Sequence, residues 1–172
     1  MIRSLSVAAI ALAAGVSAFA ASAPQGAAQP APPTFETSVM NTWKRLHDKI
    51  LAMAKDTQYP DDKLSFKPHP DSRTTLDEFR HVTIGLEMLT AQLSGTPFNY
   101  MERMKADESK PRTRASVVAE MEAAYAKSLE VVKSSAKPNI LFWLDHQGEH
   151  YGKLVSNYRM NNIVPPVSRP RK

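Results

Sequence analysis

The 172-residue chain contains no cysteine. That absence excludes disulfides, thiolate metal sites, a cysteine nucleophile and a lipoprotein anchor. Other signatures are also missing: a Gly-rich phosphate loop, a Ser/His/Asp order with a nucleophile elbow, zinc-finger spacing, β-type alternation and internal repeats. No Asp or Glu follows His150.

One long apolar run is present, at the start. Met1-Ile2-Arg3 is short and basic, Ser4 to Phe19 is almost wholly apolar, and Ala18-Phe19-Ala20 fits a small-x-small cleavage pattern. Residues 1–20 are therefore expected to be a cleaved signal peptide, and 21–33 (Ala/Pro/Gln-rich, without period) a disordered linker. Cleavage leaves no stable membrane anchor and sends the protein to the periplasm or outside the cell. The net charge is +5, with part of the excess at Ser168-Arg169-Pro170-Arg171-Lys172. The cluster is short and lacks interleaved aromatics, so 170–172 reads as a solvated basic tail rather than a nucleic-acid site. Export argues against a nucleic-acid partner as well.

Apolar residues then recur at helical spacing. Met40, Trp43, Leu46, His47, Ile50, Leu51 and Ala54 mark a first helix from Phe35 to about Lys55. Thr75-Leu76-Asp77-Glu78 reads as a capping box opening a second helix to about Leu93, with Phe79, Val82, Leu86, Leu89 and Leu93 facing inward. Gly85 in its middle costs about 1 kcal/mol against Ala, which implies a close neighbour there. Phe98 to Pro111 reads as an insertion, a short helix or a flap. A third helix, capped by Thr113 or Ser116, runs to about Ser134. Lys137-Pro138 opens a fourth, running to about Met160. Four amphipathic helices predict an all-α domain and a four-helix bundle. The Pro-containing stretch between the first two helices allows a crossover connection.

The chemistry concentrates in Asp145-His146-Gln147-Gly148-Glu149-His150-Tyr151-Gly152. Four residues make just over one helical turn, so His146 and His150 share a face and can offer two nitrogens to one metal ion. His81 is the best third ligand, beside the apolar stripe of the second helix. Three imidazoles suit Zn²⁺, Ni²⁺ or another borderline divalent ion and leave coordination positions open. The plain alternative is two partly exposed histidines and one core histidine. His-x-x-Glu-His also matches an inverted zinc-peptidase motif with Glu149 as base, but no downstream acidic ligand follows. Glu149 also lies about 100° around the helix from His150. Asp77 could orient His81 or serve the helix N-terminus. His47 reads as a buried, hydrogen-bonded histidine or a pocket wall, His69 as loop, and Trp43 and Trp143 as core. Lys153 and Arg159 could meet an anionic substrate or lie on a solvated face.

These residues resemble the DinB-like (DinB/YfiT) superfamily, and an exported branch of it, over about Thr34 to Arg169. The resemblance is carried by Pro68-His69-Pro70-Asp71-Ser72-Arg73-Thr74, by Leu76-Asp77-Glu78-Phe79-Arg80-His81-Val82, and above all by His146 to Leu154, with Tyr158 to Pro166 closing it. It implies a four-helix bundle over 34–169 with an unusual crossover, and a metal site on His81, His146 and His150. It also implies a homodimer and a small-molecule substrate. Characterised members include metal-dependent transferases using low-molecular-weight thiols, so the expected activity is metal-assisted activation of a thiol or water, transferase or hydrolase. The alternative is a non-catalytic metal- or ligand-binding protein of the envelope.

Overall fold

The computed structural model describes residues 31–134 and 139–170. The expected signal peptide, most of the expected linker, Lys137-Pro138 and the last two residues lie outside the described residues. The described chain is all-α, with no strand. It comprises α1 (Phe35–Lys55), α2 (Thr75–Ser94), α3 (Tyr100–Glu108), α4 (Arg114–Ser134) and α5 (Ile140–Met160). Short 3-10 helices lie at Asp61–Ser65 and Pro166–Ser168.

Local chemistry sets most of the ends. Thr34 caps α1 by accepting from the Thr37 N–H. The α2 cap stands one residue earlier than the capping box read from the sequence. Thr74, not Thr75, accepts from the Asp77 N–H at 3.0 Å, and its hydroxyl donates to the Asp77 carboxylate at 2.6 Å. Thr75 is the first helical residue, and its hydroxyl instead meets Tyr59 Oη at 3.0 Å. The shift has a consequence for the site, because it releases Glu78 from capping. Gly95 ends α2 in the left-handed conformation that glycine adopts without strain. Thr113 accepts from the Ser116 N–H ahead of α4. Asn162, at φ 58°, follows α5.

α2 packs on α4 and α5, and α1 packs on the same two helices. Neither α1 with α2 nor α4 with α5 shares a comparable seam, so the four long helices run α1–α4–α2–α5 around the core. The core is two apolar clusters. One holds Ile50, Met53, Phe79, Val82, Met121, Leu154 and Tyr158. The other holds Trp43, Leu86, Leu89, Val132, Ile140 and Trp143. Each fully buried large side chain contributes roughly 1.5–3 kcal/mol. Buried polar residues fall between these clusters along three of the helices: His47 on α1, Thr83 on α2, Gln147 and His150 on α5.

α3 fills the expected insertion and is held differently. Its one buried residue is Asp107. Asp107 accepts from the buried Arg80 guanidinium at 2.6 Å and from Arg103 at 3.0 Å, while Arg103 also donates to Glu87 at 2.5 Å. α3 is thus fixed to α2 by ion pairs rather than by an apolar stripe. The α1–α2 connection is fastened by Arg114, which donates to Asp61 at 2.6 Å and to the Ala54 carbonyl at 2.8 Å.

Candidate metal centre

The α2–α5 seam brings His81, His146 and His150 together. One ring nitrogen from each lies within 4.8 Å of the others. His146 and His150 follow from their shared face of α5. Their Nε2 atoms stand 3.2 Å apart. The ring of His81 meets that of His150 at 4.5 Å and that of His146 at 5.4 Å between centroids. His150 is buried, and the other two are half-buried.

Three neighbours set this geometry. The Glu78 carboxylate accepts from His150 Nδ1 at 2.5 Å, which fixes the tautomer with the Nε2 lone pair directed at the other histidines. Gly85 is the second. A Cβ there would stand 3.3 Å from His146 Cε1 and 3.2 Å from Gln147 Nε2, so the missing side chain is the space that lets α5 approach. The third is Trp143, whose indole donates to Gln92 at 3.1 Å and whose ring lies edge-on to His146 at 5.5 Å. Phe142 extends this aromatic wall, stacked 6.3 Å from His146.

Burial, reinforced by the positive charge of Arg73 and by the neighbouring histidines, lowers the His81 pKa to about 4. Burial, together with His150, lowers that of His146 also. Both imidazoles are therefore neutral near pH 7, with lone pairs free for a cation. Burial alone would raise the Glu78 pKa, but the hydrogen bond to His150 and the charges of Arg73 and Lys153 bring it below its ordinary value. Two nitrogens bound at about 2.0–2.1 Å to one tetrahedral ion stand about 3.3 Å apart. The observed 3.2 Å between the two Nε2 atoms matches that separation for this pair.

The remaining sequence candidates fall elsewhere. Asp77 serves the α2 N-terminus and pairs with Arg112, and so does not orient His81. Glu149 is exposed on α5. His69 lies in the exposed connection. His47 is buried, with Nδ1 donating to the Trp43 carbonyl at 2.8 Å, stacked against Tyr125. Trp43 and Trp143 are core residues. Glu78 is the site residue that sequence reasoning missed. Its signal was its place three residues before His81, on the same face of α2.

No protein-family model matches the chain, and no curated protein matches it. What the fold and site define is a class: an all-α protein with three convergent imidazoles able to bind a metal ion.

Proposed function

We propose that this is an exported, DinB-like, divalent-metal-binding protein that acts on a small molecule through His81, His146 and His150. The bundle part of this reading is supported by the helix order α1–α4–α2–α5, in which the connection between α1 and α2 crosses from one side of the core to the other. The metal part is carried by one observation, the 3.2 Å Nε2–Nε2 separation held by the carboxylate on His150. Zn²⁺ or Ni²⁺ suits three imidazole ligands. Such an ion would supply Lewis acidity toward a thiol or a water, as a transferase or hydrolase requires. The chain's own residues do the rest. Glu78 orients His150, Gly85 admits His146, and the Phe142–Trp143 wall shields one side of the centre from water. Export rests on the leader at 1–20, and a homodimer on the family resemblance.

A non-catalytic metal-binding role in the envelope is the second reading. It is favoured by the exposure of Glu149 and the engagement of Glu78 with His150, which leave neither carboxylate free to act as a base at the centre. Metal analysis of untagged protein after Zn²⁺ or Ni²⁺ loading tests both readings. About one equivalent is expected in the wild type and none in His150→Ala. Less than about 0.1 equivalents in the wild type refutes both. Metal-dependent consumption of a thiol with a small electrophile separates enzyme from binder.

A further inference from the structure

Around the three histidines, most charges are already matched. Arg80 is bound to Asp107, and Arg112 to Asp77. Two cations have no hydrogen-bonded carboxylate among the described residues. Arg73 makes no hydrogen bond with a described residue, and its nearest carboxylate oxygen is Glu78 Oε2 at 3.8 Å. That carboxylate already gives its other oxygen to His150. Lys153, one turn after His150 on α5, has no ion pair among the described residues.

Arg73 stands on the wall between two cavities. One, of about 200 Å³, is lined by His81, Ile84 and Met104. The other, of about 470 Å³, is lined by Glu78, Lys153 and Asn157. The acidic groups facing these cavities are accounted for. Glu78 is committed to His150, Asp71 lies exposed beside His69, and Glu108 lies exposed on α3. Three imidazole ligands bring no negative charge to a divalent ion. A ligand bridging the ion and Arg73 would therefore complete both the coordination and the charge balance.

We infer that Arg73, assisted by Lys153, is an anion receptor beside the three-histidine centre, and that the substrate is a small carboxylate whose reacting group faces the histidines while its carboxylate lies in the Arg73 fork. The guanidinium offers two parallel N–H donors that a carboxylate matches and an alcohol does not. The inference rests on the metal reading above, and its test separates the two.

Co²⁺ is loaded into the wild type as a visible probe and titrated, without oxygen, with mercaptoacetate and with 2-mercaptoethanol. The two thiols differ chiefly in the carboxylate. Mercaptoacetate should bind about tenfold to a hundredfold more tightly in the wild type. Arg73→Gln should bring the two ligands to nearly equal affinity without weakening Co²⁺ binding, because the lost charge repels a cation, and Lys153→Ala should have a smaller effect in the same direction. Arg73 is half-exposed and unbonded, so the variant is expected to fold. A Co²⁺ spectrum with equal affinity for the two thiols, with no response to either thiol, or with no loss in Arg73→Gln overturns the anion receptor alone. Absence of Co²⁺ binding overturns the metal reading and this inference together.

Discussion

Removing the Glu78 carboxylate should weaken metal binding more than it weakens the fold. The bond from His150 Nδ1 is 2.5 Å long, and both side chains are almost fully buried, at 4% and 6% exposure. A buried charge-assisted hydrogen bond contributes about 1.5–3 kcal/mol. Loss of an acceptor behind a ligating imidazole typically lowers metal affinity by about 10–100-fold, which is about 1.4–2.7 kcal/mol and so the same size. Glu78→Gln keeps the shape and can still accept the Nδ1–H through its amide oxygen. It removes only the charge, and about a tenfold loss of Zn²⁺ affinity is expected. Glu78→Ala removes the acceptor and frees the ring to rotate, so about a hundredfold loss is expected. Affinity is read at pH 7.5 by competition with a chromogenic chelator, and urea unfolding in EDTA confirms that each variant is folded. Wild-type Zn²⁺ affinity in Glu78→Ala would refute the claim that this carboxylate orients His150.

Three further outcomes follow from the geometry. Burial lowers the His47 pKa to about 4 from an unfolded value of 6.5, so the unfolded chain takes up its proton first. That stability is complete above about pH 6.5 and is lost as pH falls toward 4, by about 2 kcal/mol between pH 7.5 and 5. His47→Leu, compared with wild type by urea unfolding at both pH values in EDTA, should lose about that much less on acidification; equal losses would show that His47 is not buried neutral. Gly85→Ala gains up to about 1 kcal/mol of helix propensity but pushes a methyl to within 3.3 Å of His146. Stability should change by less than about 1 kcal/mol while Zn²⁺ affinity falls roughly tenfold, and unchanged affinity would show that His146 relaxes freely. Asp107→Ala leaves Arg80 buried and unpaired, so thermal and urea unfolding should show a loss of about 3–5 kcal/mol; a loss below about 1 kcal/mol would mean that the ion pairs do not hold α3.

The helices were legible because periodicity reports which face of a segment is buried, and α1, α2 and α4 carry clean stripes. His81, His146 and His150 were legible as a set, two by spacing and one by its place beside a stripe. Gly85 was legible as a close approach, since a mid-helix glycine is costly without one. Glu78 was not. Thr74 and Thr75 are both able to cap, and local propensity does not choose between them. The choice is made by Tyr59, sixteen residues before Thr75, whose hydroxyl takes the Thr75 hydroxyl. With the cap at Thr75, Glu78 sits at the capping-box position and looks fully employed. With the cap at Thr74, it is free to cross the core to a residue 72 positions away. α3 was ambiguous for a related reason. Its attachment is a set of ion pairs to α2 and α4, and charge pairing over such separations leaves no period in the sequence.

The polar layer between the two apolar clusters is where stability and function meet. A core of this size would be more stable with aliphatic residues at His47, Gln147 and His150, because buried polar atoms must find partners or forfeit solvation. Here some do not: Nε2 of His47, Nδ1 of His146 and Oε1 of Gln147 are buried without a protein partner. Glu78 adds a carboxylate shielded from water whose nearest guanidinium, that of Arg73, stands at 3.8 Å, beyond hydrogen-bonding distance. The cost is concentrated on the stretch where α2 and α5 face each other, and the clusters on either side supply the stability that tolerates it. A divalent ion on the three imidazoles would offset the Glu78 charge and use the lone pairs turned toward one another. The same arrangement without an ion leaves the Nε2 atoms of His146 and His150 facing each other at 3.2 Å and keeps a carboxylate buried for no gain in packing.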